Sequence, residues 1–175
     1  MTWIAPHSLV GEATIREMLA AARDTPAGCF VEVGVYKGGT GWFLNQLAID
    51  QAREVYLYDT FTGIPYHDVV DSHSTGDFAD TSVEEVRALI PRATTVQGLF
   101  PDSAVPMPPI AFVHLDCDQY RSVKESAEYL IPLMVPKGVI WFDDSPCLPG
   151  AHKAAKELFG DRLQLSATSK HFVEI

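Results

Sequence analysis

Short apolar runs alternate with segments of helical periodicity along the chain, and this alternation constrains the fold most. Residues 29–33, 54–58, 93–96, 110–115 and 139–142 are apolar runs too short for buried helices, and they read as strands. Helical segments lie between them. In 8–23, Leu9, Ile15, Met18, Leu19 and Ala22 recur near helical spacing. A second helix follows a Gly-rich turn at 34–41 and runs to about Ala52. Ser82-Val83-Glu84-Glu85 has the form of a capping box and opens a helix that stops at Pro91. Further helices cover 119–131 and 149–158. Strands that are apolar on both faces need helices on both faces, which is the parallel α/β arrangement. Residues 163–167 and 171–175 read as a closing hairpin. The expectation is an α/β, doubly wound, Rossmann-like sheet of seven strands, mostly parallel, with an antiparallel C-terminal strand. Its 175 residues make one domain, 1–175. Residues 1–27 form a helical N-terminal segment, and 60–81 a long polar loop.

Charge narrows the partners. Lys and Arg total 13 against 23 Asp and Glu, a formal net charge of −10. Binding to nucleic acid needs clustered cations, and so does binding to an anionic membrane, so neither is expected. No apolar run reaches the roughly 18 residues of a membrane span. The first residues lack the basic-then-apolar order of a signal peptide. Cys29, Cys117 and Cys147 are odd in number and widely spaced, unlike a disulfide framework. A cytoplasmic protein with reduced thiols is expected.

In an open α/β sheet, ligands bind beyond the carboxyl ends of the strands. After the first strand come Glu32, Gly34, Tyr36, Gly38, Gly39 and Thr40, and a helix N-terminus that favours an anionic group. After the second comes Asp59, with Thr60 beside it. Asp59 lies 20 residues beyond Gly39, an interval suited to gripping ribose hydroxyls. The glycines read G-x-x-x-G-G rather than G-x-G-x-x-G, which favours a nucleoside without a pyrophosphate, such as S-adenosylmethionine. Glu32 suits the ammonium of such a ligand, directly or through water. The plainer reading is a tight turn plus a loop aspartate.

After the fourth strand comes Asp116-Cys117-Asp118, and after the fifth, Asp143-Asp144. Adjacent parallel strands bring these carboxylates to one edge. They would repel one another without a cation between them, and hard oxygen donors suit Mg²⁺ or Ca²⁺. Asp118 also reads as the cap of the helix that starts near Gln119. Loop 60–81 carries Phe61, Tyr66, His67, His73 and Phe78 and reads as a lid. His67 and His73 with Asp68 and Asp71 read as solvated polar groups or, less simply, as a second metal site.

The segments Phe30–Thr40 (FVEVGVYKGGT), Tyr58–Pro65 (YDTFTGIP), Gly76–Phe78 with Val83–Arg87, His114–Tyr120 (HLDCDQY) and Gly138–Asp144 (GVIWFDD) with Pro149–Ala151 together resemble the macrocin O-methyltransferase (TylF-type) family. The resemblance runs from about residue 28 to 160. It implies the class I methyltransferase plan and an S-adenosylmethionine- and Mg²⁺-dependent O-methyltransferase, typically acting on sugar hydroxyls of antibiotics. It implies Asp116, Asp143 and Asp144 as metal ligands. It puts Glu32, Gly34, Tyr36 and Thr40 on the methionine part, Asp59 on the ribose, and Gly98 and Leu99 near the adenine. Asp116 also borders the cofactor. Members usually carry more chain before the first strand than the residues 1–27 seen here. They tend to form dimers or larger assemblies, which leaves a homo-oligomer open. The acceptor is a small-molecule hydroxyl. Asp116 or Asp118 is the candidate base, and His114 is a weaker one because strand alternation can turn it toward the core.

Other readings stand beside this one. Tyr120 and Lys124 form the Y-x-x-x-K pair of short-chain dehydrogenases, without a dinucleotide turn to serve it. Asp116-Cys117-Asp118 is also the D-x-D of metal-dependent nucleotide-sugar glycosyltransferases. A methyltransferase fold kept as a non-catalytic binding protein is the third. Trp42 and Trp141 read as core, and Trp3 is assigned no role.

Overall fold

Strand β1 (Cys29–Val33) lies near the middle of a seven-stranded sheet, and the rest of the chain is arranged around it. The computed structural model describes Pro6 and residues 8–175, so Trp3 lies outside the described residues. In chain order the elements are α1 (Glu12–Arg23), β1, α2 (Gly39–Asp50), β2 (Val55–Asp59), α3 (Val83–Leu89), β3 (Thr94–Gln97), β4 (Ile110–Leu115), α4 (Tyr120–Leu130), β5 (Met134–Phe142), α5 (Pro149–Phe159), β6 (Gln164–Leu165) and β7 (His171–Glu174). The strand order is β3-β2-β1-β4-β5-β7-β6. Strands β1 to β5 pair in parallel, and β7 pairs antiparallel with both β5 and β6. The expected class and strand count are therefore observed.

Alternation along β1 explains the two layers. Cys29, Val31 and Val33 join a core with Val123, Ala127 and Leu130 of α4 and Ala151 and Ala154 of α5. Phe30, on the other face, packs with Met18 and Ala22 of α1, Leu44 and Ala48 of α2 and Val86 of α3. Trp141 is buried in the core and stacks on Phe172 with ring centroids 5.8 Å apart, and Trp42 is partly buried against the same cluster.

Two boundaries in particular differ from the sequence reading. Helix α1 starts at Glu12, because Gly11 occupies the N-cap with extended backbone. Strand β5 starts at Met134 rather than Val139, reaching Ile110 across a register shift near Pro136 and the left-handed Lys137. At α3, Ser82 accepts the Glu85 N–H at 3.3 Å, which is half of the expected capping box. Among the described residues no helix is long and apolar enough to cross a membrane.

Candidate functional site

The chain reverses strand order between β1 and β4, and the crevice there is where α/β sheets bind ligands. Gly34 ends β1 at φ +91°, and a Cβ on it would lie 1.8 Å from the Asp116 carbonyl oxygen. Only glycine lets the two strand ends come so close. Beyond it, Asp59 acts as a strut. One carboxylate oxygen accepts the N–H groups of Val35 (2.7 Å) and Tyr36 (2.8 Å), and the other accepts that of Phe61 (2.7 Å). The turn is thus held in place by the residue read as a ribose ligand. The oxygen that takes only the Phe61 N–H keeps lone-pair capacity for a further donor, whereas the one that takes two is filled.

A cavity of about 590 Å³ opens over these strand ends. Gly34, Tyr36, Gly39, Thr40, Asp59, Thr60, Gly98, Leu99 and Asp116 line it, and so do Asp118, Asp143 and Asp144. Thr60, Gly63, Ile64, Pro65 and Phe78 bring loop 60–81 to its wall. Pro6, Ser8, Leu9 and Val10 form another wall, which sequence reasoning missed because helical spacing absorbed Leu9 into α1. The Ser8 and Thr40 hydroxyls are 2.7 Å apart and tie this wall to α2.

Glu32 is the exception among the expected cofactor residues: it is buried and does not line the cavity. Alternation turns it to the α2 face, where its Oε1 lies 2.8 Å from His114 Nδ1 and its Oε2 has no hydrogen-bond partner. The β1–β4 register places Glu32 and His114 opposite each other. His114 Nε2 lies 3.8 Å from Asp143 Oδ1, an ion-pair distance too long for a hydrogen bond. Burial pushes the Glu32 carboxyl up. Burial would depress His114, but Asp143 and Glu32 hold it well above the ordinary imidazole value. His114 is thus a core residue, as the alternation suggested, and not a cavity base.

Asp116, Asp143 and Asp144 converge, each offering a carboxylate oxygen within 4.8 Å of the others. Burial and the charges of Asp143 and Asp144 push Asp116 well above the usual carboxylate range. Burial, with Asp118 and Asp143 nearby, pushes Asp144 up to about 7. Asp118 is also pushed up to about 7, by burial and by Asp143 and Asp59. Asp143 differs: burial opposes ionisation, yet His114 and Lys170 hold its carboxyl below the usual range. Lys170, another residue that sequence reasoning missed, donates to Asp143 Oδ2 at 3.0 Å and to the Asp143 carbonyl.

Asp118 is not the cap of α4. Its backbone is left-handed (φ +58°), and its N–H donates to Asp144 Oδ2 at 2.8 Å. Asp71, from the loop, captures the Tyr120 N–H at 2.7 Å instead. That use of Asp71 also dissolves the second metal reading. His67 Nδ1 bonds the His73 carbonyl at 2.8 Å, and His73 Nε2 sits 3.5 Å from Asp118 Oδ1. Among the described residues only Asp116, Asp143 and Asp144 cluster as a metal-capable group. Tyr120 and Lys124 do meet, with Nζ to Oη at 3.1 Å, but both bond Glu157 of α5 and neither lines the cavity. The three cysteines are unpaired.

Comparison with known proteins places this geometry. A curated relative, the 8-demethyl-8-(2,3-dimethoxy-alpha-L-rhamnosyl)-tetracenomycin-C 4'-O-methyltransferase of Streptomyces olivaceus, is 30% identical over 142 residues. That match covers 69% of this chain and 54% of the relative, so the chain spans about half the relative's length. The solved structure of the O-methyltransferase NovP superimposes with a TM-score of 0.83 at 23% identity, over 96% of this chain and 81% of that one. TomG from Streptomyces achromogenes, an O-methyltransferase of tomaymycin synthesis solved with SAM, gives 0.59 at 14% identity, over 95% and 80%. At such identities the two structures speak to the fold. Residues 4–168 match the family model described as macrocin-O-methyltransferase (TylF), which includes every strand end that lines the cavity, and the chain belongs to that family.

Proposed function

We propose that this chain is an S-adenosylmethionine-dependent, Mg²⁺-dependent O-methyltransferase of the cytoplasm, acting on a hydroxyl of a small molecule, a natural product or its sugar. One observation carries the reading. A single cavity has a glycine-rich turn on one side and three converging carboxylates on the other. S-adenosylmethionine, when bound, supplies a methyl group already activated on a sulfonium. The turn at Gly34, Tyr36, Gly39 and Thr40 offers backbone donors and a helix N-terminus to its amino-acid end. Asp59 and Thr60 face its ribose, and Gly98 and Leu99 its adenine. Glu32 lies outside the cavity wall, bonded to His114.

The donor set fits Mg²⁺. All three side chains offer hard oxygens, and Asp143 Oδ1 is buried without a hydrogen-bond partner. Mg²⁺ at Asp116, Asp143 and Asp144 would acidify and orient the acceptor hydroxyl. Asp118 then receives the proton. It lines the cavity beside the trio, and as a carboxylate it can accept the proton at neutral pH. Loop 60–81, with Pro6 and Ser8, Leu9 and Val10, covers the acceptor and excludes water. Most of the acceleration comes from alignment, because the leaving group needs no further activation.

The test is calorimetric titration with S-adenosylmethionine, with and without Mg²⁺, with UDP-sugars and NAD as controls. Micromolar S-adenosylmethionine binding is the expected result. Metal-dependent UDP-sugar binding with no response to S-adenosylmethionine would overturn the reading in favour of a glycosyltransferase. Cofactor binding with no methyl transfer to any hydroxyl acceptor would favour a non-catalytic binding protein.

A further inference from the structure

Among the three carboxylates of the cluster, Asp143 alone is gripped by a lysine. The Lys170 ammonium donates both to the Asp143 main-chain carbonyl and to its Oδ2, the latter at 3.0 Å. One cation thus bridges two atoms of one residue and fixes the torsion between them. Lys170 does not line the cavity, and its side chain is 17% exposed.

Lys170 is itself held. Its N–H donates to Ser166 Oγ at 3.0 Å, and its carbonyl accepts the Ser166 N–H at 2.8 Å, closing the turn between β6 and β7. Glu17 of α1 grips that turn, accepting from Ala167 N (2.6 Å), Thr168 N (2.9 Å) and Thr168 Oγ1 (2.6 Å). The ammonium is therefore placed by a braced hairpin.

We infer that Lys170 is a positioning residue, holding Asp143 in the pose that brings its carboxylate to Asp116 and Asp144 as a ligand for a divalent cation. The inference rests on the metal reading above. Two effects of removing Lys170 oppose each other. Losing a nearby positive charge favours a bound cation. Freeing Asp143 lets it swing from two like-charged neighbours, so the cation loses a ligand. Partners behind metal ligands commonly matter by about 10- to 100-fold in metal affinity. Because the ammonium holds both main chain and side chain of Asp143, the loss of pose outweighs the loss of repulsion.

The experiment titrates the native protein, K170M and K170R with Mn²⁺, reading free ion by its EPR signal, with Mg²⁺ as competitor. K170M is expected to bind Mn²⁺ about 10-fold more weakly or worse. Its S-adenosylmethionine affinity without metal should match the native value, and K170R should recover most of the Mn²⁺ affinity. K170Q is the fallback should K170M fail to fold, with weakening again expected. If K170M binds Mn²⁺ as tightly as the native protein, or more tightly, the inference falls and the metal reading stands. If the native protein binds no Mn²⁺ at millimolar concentration, the metal reading and the inference fall together.

Discussion

At Gly34 a single missing methyl group lets the ends of β1 and β4 meet. Alanine there would put Cβ 1.8 Å from the Asp116 carbonyl oxygen at φ +91°. The backbone strain alone is about 1–3 kcal/mol, and the clash adds to it. G34A is therefore expected to lower the denaturant midpoint strongly and to abolish cofactor binding, both readable on the purified variant. Asp118 makes a different demand. D118N keeps the shape of the cavity and loses the proton acceptor, so turnover should fall by about 10²- to 10⁴-fold. Cofactor affinity by calorimetry should stay near native. A proportional loss of cofactor affinity would count against Asp118 as the base. Most of the cavity-lining residues were legible in the sequence, because a residue that ends a parallel strand must sit at the sheet's carboxyl edge. Glu32 does not line the cavity, because its place on the alternating strand turns it to the other face of the sheet. Lys170 and Asp71 were not legible: each acts on a group distant in sequence, and neither sits at the end of a parallel strand.

At the scale of elements, α4 depends on a loop for its first turn. Gln119, its N-cap residue, makes no side-chain cap, and Asp71 Oδ1 takes the Tyr120 N–H while its Oδ2 takes the Asp68 N–H at 2.9 Å. Gln119 Nε2 returns the tie by donating to the carbonyls of Tyr66 (3.1 Å) and His73 (3.0 Å). D71A should thus cost about 0.5–2 kcal/mol, as a lost cap does, and loosen loop 60–81 as well. Hydrogen exchange should show deprotection both in that loop and in the first turn of α4. Deprotection of α4 alone would argue that the loop is held by other contacts. Strands β1, β2 and β4 were readable almost to the residue, because apolar runs between turns have few alternatives. Strand β5 runs further back than the apolar run 139–142, because Pro136 and Gly138 sit in a bulged stretch of it.

For the whole molecule, the carboxylate cluster sets how stability depends on pH. Asp118 and Asp144 are raised to about 7 in the fold, and Asp116 is raised well above its ordinary value. The folded state therefore binds more protons than the unfolded chain above about pH 4, where free carboxyls ionise. Stability from these groups is full below that pH and is lost as pH rises through 7. His114, raised well above the ordinary imidazole value, acts in the same direction at higher pH. Glu17 and Asp143 are lowered, so their contributions are lost toward acid. Metal-free protein should accordingly melt higher near pH 5.5 than near pH 8. Millimolar Mg²⁺ should restore most of the difference at pH 8, since a ligand of the folded state adds stability by mass action. A melting temperature that rises between pH 5.5 and 8 without metal would contradict the burial of these charges.

The grip of Glu17 on the turn after β6 joins residues 151 positions apart, so it closes nearly the whole chain into a ring. Long-range closures are slow to find, because chain entropy is lost before the contact forms. Helix α1, though it precedes β1, gains this anchor only after the β6–β7 hairpin exists. The clasp therefore belongs late on the folding route, and a weakened clasp changes escape from the native state more than arrival in it. In E17Q the refolding arm of a chevron plot should overlay the native one while the unfolding arm lifts, and the protein would lose lifetime without losing speed.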